Sequence, residues 1–232
     1  MPIASMLTRR KIEQEVLKIV QTGDAGYRFG AARHYEPVLG KGKTISIGLG
    51  LEFSELLRGL TDPPCWASHS ILFDKRDGQV RVWDMSNEGF RRFEFRDWMR
   101  ETHMGGRIEI RRPIPQLSKN ALETVVLAEK IRDEQDPEYD MHFIANNPAF
   151  YCTELINYIY ERCGIKMPPP VNLRELPNWK WIYDLIAWKG KVNTKEIIYP
   201  GNADIGMRSS GNFQTVYFFE GEELTEDNVP PV

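Results

Sequence analysis

A helix with one continuous apolar face is predicted to begin at Cys152. Residues 152, 155, 156, 159, 160 and 163 are Cys, Leu, Ile, Ile, Tyr and Cys, and this spacing matches the turn of an α-helix. The preceding stretch 147–151 is Asn-Pro-Ala-Phe-Tyr, which indicates a loop. The pattern therefore points the Cys152 side chain toward the body of the protein, at the start of the helix.

Alternating apolar and polar residues predict a β-hairpin over residues 68–85. The first strand, 68–74, is Ser-His-Ser-Ile-Leu-Phe-Asp, and the second, 79–85, is Gln-Val-Arg-Val-Trp-Asp-Met, with a Lys-Arg-Asp-Gly turn between them. His69 begins the first strand and Asp84 lies near the end of the second. Those two ends are neighbours in an antiparallel hairpin, so we expect the Asp84 carboxylate to reach the His69 imidazole.

The remaining elements are predicted from the same periodicities. We predict helices over 7–22, 49–60, 93–99 and 119–132, the last capped by Ser118, and strands over 44–48, 107–112 and 215–220. Residues 26–42 are predicted to be irregular, and the acidic, proline-rich tail 223–232 is expected to fray. The aromatic-rich segment 179–188 fits either ordinary helix packing or a wall over a site.

Cys152 is the strongest candidate for a nucleophile. The unpaired N–H groups and the positive end of the dipole at a helix N-terminus favour a thiolate. A cysteine beside a histidine that a third polar group orients is the working set of a thiol nucleophile. Each residue also has a structural alternative: Cys152 as a small buried apolar residue, His69 as a structural histidine, and Asp84 as a solvated turn residue.

The order of these features resembles the circularly permuted NlpC/P60 proteins, and more closely the YiiX/YebB-like group of papain-fold thiol enzymes. The histidine strand is Ser-His-Ser-Ile at 68–71, and the polar position on the next strand lies in Val-Trp-Asp at 82–84. Downstream, 139–143 is Tyr-Asp-Met-His-Phe, and 151–155 is Tyr-Cys-Thr-Glu-Leu, similar to the family's Tyr-Cys-Ser-Glu-Leu. The resemblance covers about residues 40–220.

The resemblance implies an α+β fold of the circularly permuted papain-like (NlpC/P60) type, with an antiparallel sheet packed against the cysteine helix. It implies Cys152 as nucleophile, His69 as base and Asp84 as the third catalytic residue. By analogy with non-permuted relatives, the Tyr139 hydroxyl can support the oxyanion, and core packing explains this tyrosine equally well. Two features depart from the family: Thr153 stands where Ser is usual, and the Gly-Asp signal before the histidine strand is missing.

A single domain spanning residues 1–232 is the simplest interpretation of the chain length. The formal net charge of −3 gives no electrostatic footprint for nucleic acid. No apolar run reaches the length of a membrane span, and residues 1–20 lack the apolar core of a signal peptide. We therefore expect a cytoplasmic protein, or one that leaves the cell by another route, with no integral membrane segment and no nucleic-acid partner.

The cysteines indicate neither a disulfide framework nor a metal site. Three cysteines is an odd number, which fits a reducing compartment. Cys65 and His69 have a Cys-x3-His spacing, but no second pair of ligands accompanies them, so we predict no zinc site. Cys163 closes the apolar face of its helix and is interpreted as structural. No cofactor is predicted.

Three functions fit the sequence. The first is a cysteine hydrolase of the amidase or peptidase type, which acts through an acyl-enzyme on cell-wall-type peptides or other amides. The second is an acyltransferase of the lecithin:retinol acyltransferase type, in which the same acyl-enzyme passes a lipid-like acyl group to another acceptor. The third is a non-catalytic binding module that retains the fold. The joint presence of Cys152, His69 and Asp84 favours the enzymes over the binding module.

Overall fold

The computed structural model describes residues 6–29, 69–86, 88–101, 107–140, 147–167, 169 and 210–220. These residues form four α-helices, namely α1 (Met6–Ile19), α2 (Phe95–Glu101), α3 (Ser118–Gln135) and α4 (Cys152–Arg162). They also form six strands, namely β1 (Ala25–Phe29), β2 (His69–Arg76), β3 (Gln79–Ser86), β4 (Gly89–Glu94), β5 (Arg107–Pro113) and β6 (Phe213–Glu220). A short 3-10 helix, Pro115–Leu117, precedes α3.

The six strands form one antiparallel sheet in the order β4-β3-β2-β1-β5-β6. Strand β1 lies inside the sheet, where Arg28 pairs with His69 of β2 on one side and with Ile108 of β5 on the other. In the β2–β3 hairpin Ile71 pairs with Asp84, so His69 lies diagonally across from Asp84 on the same face of the sheet. The register therefore gathers Arg28, His69 and Asp84 at one end of the sheet.

Helices cover both faces of the sheet, because the strands alternate buried side chains toward two cores. We call the first core the α3/α4 core; it contains Ala25, Tyr27, Leu72, Trp83, Val125, Ala128, Cys152, Leu155, Ile156, Ile159 and Tyr160, among others. The second, the α1/α2 core, contains Ile12, Val16, Val20, Ile71, Phe73, Val82, Phe95, Trp98, Ile108 and Ile110, among others. Burying these side chains removes a large apolar area from water, which stabilises the sheet between its two helical layers.

The structure confirms the predicted α+β fold class and the β-hairpin. It also confirms the helix predicted at 119–132, the helix that begins at Cys152, and the strands at 107–112 and 215–220. It corrects three other predictions. Strand β1 occupies the start of the region predicted to be irregular, and β4 precedes a helix that was predicted to start at Phe93 but starts at Phe95. Ser118 is the first residue of α3, whose N-cap is Leu117 and makes no side-chain cap.

The corrections have physical reasons. Strand β1 is short and carries Gly26, which is a weak strand former by itself. At that position a Cβ atom would lie 2.7 Å from the Phe73 ring, so the glycine is needed for the close approach of β1 to β2. Strand β4 begins at Gly89, whose φ is +96°. Its two adjacent arginines, Arg91 and Arg92, interrupt the alternation of apolar and polar residues that predicts a strand.

Several predictions lie outside the described residues. They are the strand 44–48, the helix 49–60, the aromatic segment 179–188, the tail 223–232, and Cys65. The extent of the single domain, 1–232, stays a prediction.

Candidate active site

Cys152 is the first residue of helix α4, as the apolar pattern predicts. The N-cap Tyr151 has an extended backbone, with φ −97° and ψ 169°, so the chain enters the helix abruptly at the cysteine. The Cys152 side chain is buried, with 5% of its residue surface exposed. The N–H groups of the first helical turn have no partner within the helix, and they surround a buried thiol with positive partial charge.

Two neighbours of the Cys152 sulfur come from strand β2. The imidazole of His69 and the backbone N–H of Ser70 both serve as hydrogen-bond partners for the thiolate. The Thr153 hydroxyl lies 3.6 Å from Cys152 Sγ and accepts a hydrogen bond from Ser70 Oγ at 3.2 Å. Thr153 is fully buried and links Cys152 to strand β2 through these two contacts.

Asp84 holds the opposite side of the His69 ring. Its Oδ1 lies 2.6 Å from His69 Nε2, and its Oδ2 accepts a hydrogen bond from Trp98 Nε1 at 2.7 Å. Because Nε2 is engaged by the carboxylate, Nδ1 is the ring nitrogen that can exchange a proton with Cys152. The sequence predicted the contact between Asp84 and His69 from hairpin register; it gave no sign of the Trp98 contact.

The Cys152 thiol and the His69 imidazole stabilise each other's charge. Burial opposes both charged forms. The positive His69 beside it nevertheless lowers the pKa of Cys152 to about 7, with help from the hydrogen bonds of Ser70 and Thr153. The negative charges of Asp84 and Cys152 likewise raise the pKa of His69 to about 9. Between these values the thiolate–imidazolium pair is the main form, and the two groups titrate as a pair.

Asp84 remains ionised although it is buried. Burial on its own would raise the pKa of this carboxyl, but the charge and hydrogen bond of His69 hold the pKa below its ordinary value. The charge of Arg28 and the hydrogen bond from Trp98 act in the same direction. An ionised carboxylate that orients the histidine and stabilises its charged form is what the third member of such a triad supplies.

Tyr139 lies close to Cys152. It forms an isolated parallel bridge with Phe150, close to the start of α4, and it packs partly buried against the α3/α4 core. Burial raises the pKa of its hydroxyl well above the ordinary value, and the neighbouring negative charges of Cys152 and Asp84 add to this effect. The Tyr139 hydroxyl therefore stays neutral and can donate a hydrogen bond near Cys152.

No local sequence pattern distinguishes Arg28 or Trp98 as a site residue. Arg28 is buried on β1, and its guanidinium carbon lies 5.2 Å from the centre of the Trp98 ring. Trp98 is buried on α2 and belongs to the α1/α2 core, whereas Cys152 belongs to the α3/α4 core. The site thus lies where the two cores meet at the end of the sheet, an arrangement that no local sequence pattern encodes.

Glu154 shares the first turn of α4 with Cys152. Its carboxylate accepts a hydrogen bond from the Tyr151 backbone N–H, which is one half of a capping box. Its Oε2 is buried and has no hydrogen-bond partner among the described residues. Burial, with a smaller contribution from the nearby Asp140 charge, raises the pKa of Glu154 to about 7. The folded protein therefore favours the protonated form of Glu154.

Replacing Glu154 with glutamine is expected to stabilise the protein above pH 7 and to have little effect near pH 4. A carboxyl with a raised folded-state pKa costs nothing below its unfolded pKa. Its cost grows as pH rises from the unfolded to the folded pKa and is fully present above the folded pKa. Allowing for partial exposure, the gain at pH 8 is about 1–2 kcal/mol. Thermal unfolding of both proteins at the two pH values measures it, and an equal effect at both would contradict the burial of a titrating carboxyl here.

The described part of the chain offers no metal-binding group. No cluster of three or more His, Cys, Asp or Glu side chains that could hold an ion occurs among the described residues. His69 Nε2 is committed to Asp84. Within the same residues Cys152 and Cys163 are free thiols.

No helix in the described ranges is both long and apolar enough to span a membrane.

The fold is similar to that of a solved bacterial protein. The crystal structure of the metalloprotein YiiX from Escherichia coli O157:H7, described as DUF1105, superposes with a TM-score of 0.59. The two chains are 16% identical, and the match covers 86% of this chain and 97% of that chain. Comparisons with family models and with curated proteins give no match. The predicted likeness to the YiiX group is thus confirmed for the fold. The description as a metalloprotein applies to that neighbour and not to this chain.

Proposed function

We propose that this protein is a cysteine hydrolase that cleaves amide bonds through an acyl-enzyme, on a circularly permuted papain-like fold. The observation that carries the proposal is the arrangement of Cys152, His69 and Asp84. The Cys152 thiol lies at a helix N-terminus and has the His69 imidazole as a hydrogen-bond partner. The buried Asp84 carboxylate lies 2.6 Å from His69 Nε2, so the three groups form one continuous chain of contacts. A structural cysteine needs none of these neighbours.

The first half of the proposed reaction forms a thioester. The Cys152 thiolate attacks the carbonyl carbon of the amide, and the negative charge moves to the carbonyl oxygen. The backbone N–H of Cys152 and the Tyr139 hydroxyl are the proposed donors to this oxyanion. His69 Nδ1–H then protonates the leaving nitrogen as the C–N bond breaks, which releases the amine and leaves the acyl group on Cys152.

The second half regenerates the thiol. His69, now neutral, takes a proton from a water molecule through Nδ1 while that water attacks the thioester carbonyl. The C–S bond breaks, the acid leaves, and the thiolate–imidazolium pair is restored. Asp84 stabilises the imidazolium in both halves through its contact with Nε2. The expected substrates are peptides or other amides, and an acceptor other than water would turn the same intermediate to acyl transfer.

A panel of peptide p-nitroanilides and acyl esters tests the proposal. We expect release of the leaving group and an acyl adduct on the peptide that contains Cys152, detected by mass spectrometry. Cys152→Ala should lose both, whereas Cys163→Ala, which removes the other described thiol on the same chain segment, should keep both. Turnover that survives Cys152→Ala, or no adduct from any compound, would overturn the proposal. Diversion of the acyl group to added amine or alcohol acceptors would favour a transferase.

A further inference from the structure

A buried cation lies directly behind the proposed catalytic residues. Arg28 is 4% exposed, and it pairs with His69 across the β1–β2 ladder. Its guanidinium lies over the Trp98 ring, 5.2 Å from the ring centre, in the geometry of a cation–π contact. The Trp98 indole N–H donates to the Asp84 oxygen that does not face His69. Arg28 and Trp98 therefore form a second layer behind the histidine and the carboxylate.

Among the described residues, five elements contribute groups around Arg28. Strand β2 contributes His69, and β5 contributes the uncharged Ile108 as the opposite ladder partner. Strand β3 contributes Asp84, and α2 contributes the neutral Trp98. Helix α4 contributes Cys152, whose thiolate charge, like that of Asp84, favours the charged form of Arg28.

We propose that Arg28 is a positioning residue, held over Trp98, that keeps Asp84 ionised and sets the pH range in which the Cys152–His69 ion pair exists. The proposal rests on the proposed function, because it assigns a role within the same site. Burial lowers the pKa of Arg28, but a guanidinium starts from so high a pKa that it keeps its charge at all working pH values. It therefore supplies a fixed positive charge behind the negative Asp84 and Cys152 and the positive His69.

The sign of its effect follows from the charges. The Arg28 cation lowers the pKa of Asp84 and opposes the positive form of His69, which lowers the pKa of that imidazole. Its attraction to the Cys152 thiolate is mutual, so it also lowers the pKa of the thiol. Removing the charge should therefore raise the pKa of Cys152 and the pKa of His69 together. A role confined to packing would move neither.

The test compares wild type, Arg28→Gln and Arg28→Lys. The pKa of Cys152 is taken from the pH dependence of iodoacetamide alkylation, mapped by mass spectrometry. The pKa of His69 is taken from NMR titration of its imidazole, assigned by its loss in His69→Gln. In Arg28→Gln we expect both values to rise by about 1, whereas Arg28→Lys, which keeps a positive charge, should lie closer to wild type. Unchanged values in a folded Arg28→Gln protein would overturn the proposal.

A second pair of variants applies if Arg28→Gln does not fold. Removing both members of a buried charge pair costs less stability than removing one, so Asp84→Asn is compared with Asp84→Asn combined with Arg28→Gln. The pKa of His69 should be higher in the double variant than in the single one, and equal values would overturn the proposal. A wild-type protein with an ordinary thiol profile would instead refute the proposed function, so the two failures are distinguishable.

Discussion

Replacing His69 with alanine is expected to lower the alkylation rate of Cys152 at pH 7 by about 15-fold or more. The wild-type thiol has a pKa of about 7, so half of it is thiolate at that pH. Without the imidazolium the pKa returns to about 8.5, which leaves about 3% thiolate at pH 7, and burial of the site lowers this fraction further. Amide turnover should fall by roughly 10²–10⁴-fold, because the variant also lacks the proposed general acid and base.

Cys163 provides the internal control for this experiment. It is a second free thiol, at the end of the helix that begins with Cys152, and burial raises its pKa. Its labelling at pH 7 should be slow in wild type and unchanged in His69→Ala, which separates a local effect at Cys152 from loosening of the fold. Equal alkylation rates of Cys152 in the two proteins would show that His69 does not activate the thiol.

Replacing Asp84 with asparagine is expected to reduce amide turnover by roughly 10²-fold or more. The carboxylate has two acceptor oxygens, one facing His69 Nε2 and the other accepting from Trp98 Nε1. An asparagine has one acceptor oxygen, so its NH₂ group must face one of the two N–H donors. The pKa of His69 should also fall from about 9, because the main charge that raises it is gone.

The combination of Asp84→Asn with Trp98→Phe is the matched control. Phenylalanine keeps a ring beneath Arg28 but removes the indole N–H, so the asparagine oxygen can turn to His69 while its NH₂ group no longer meets a donor. The double variant should therefore recover part of the turnover lost by Asp84→Asn alone. Turnover and pH dependence in Asp84→Asn that match wild type would remove Asp84 from the account. Rates of amine release across pH, with the substrate found in the panel, measure both outcomes.

The local patterns of this chain predict the elements that carry the central contacts. The apolar stripe that begins at Cys152 predicts the helix and the burial of its first residue, because the helical period is read from a few adjacent turns. The hairpin around the Asp-Gly turn likewise brings Asp84 to His69, since register in a tight hairpin is fixed by the turn. The burial of Cys152 and the contact between Asp84 and His69 therefore both depend on short stretches of sequence.

The second layer depends on pairings between distant segments. Arg28 reaches the site because β1 inserts between β2 and β5, and five residues containing a glycine carry too little alternation to predict that strand. Trp98 contacts Asp84 because α2 packs on the face of the sheet opposite α4. Trp98 accordingly belongs to the α1/α2 core. Such placements follow from the strand order of the whole sheet, which no local periodicity specifies.

The pH dependence of Cys152 alkylation by iodoacetamide in the wild-type protein tests the central claim most directly. The claim is that Cys152 and His69 form an ion pair that Asp84 stabilises. We expect the rate at Cys152 to rise with a midpoint near pH 7, as the thiol pKa requires, and to do so well below the midpoint for Cys163. A midpoint for Cys152 at or above about 8.5, the value for an unperturbed thiol, would contradict the ion pair.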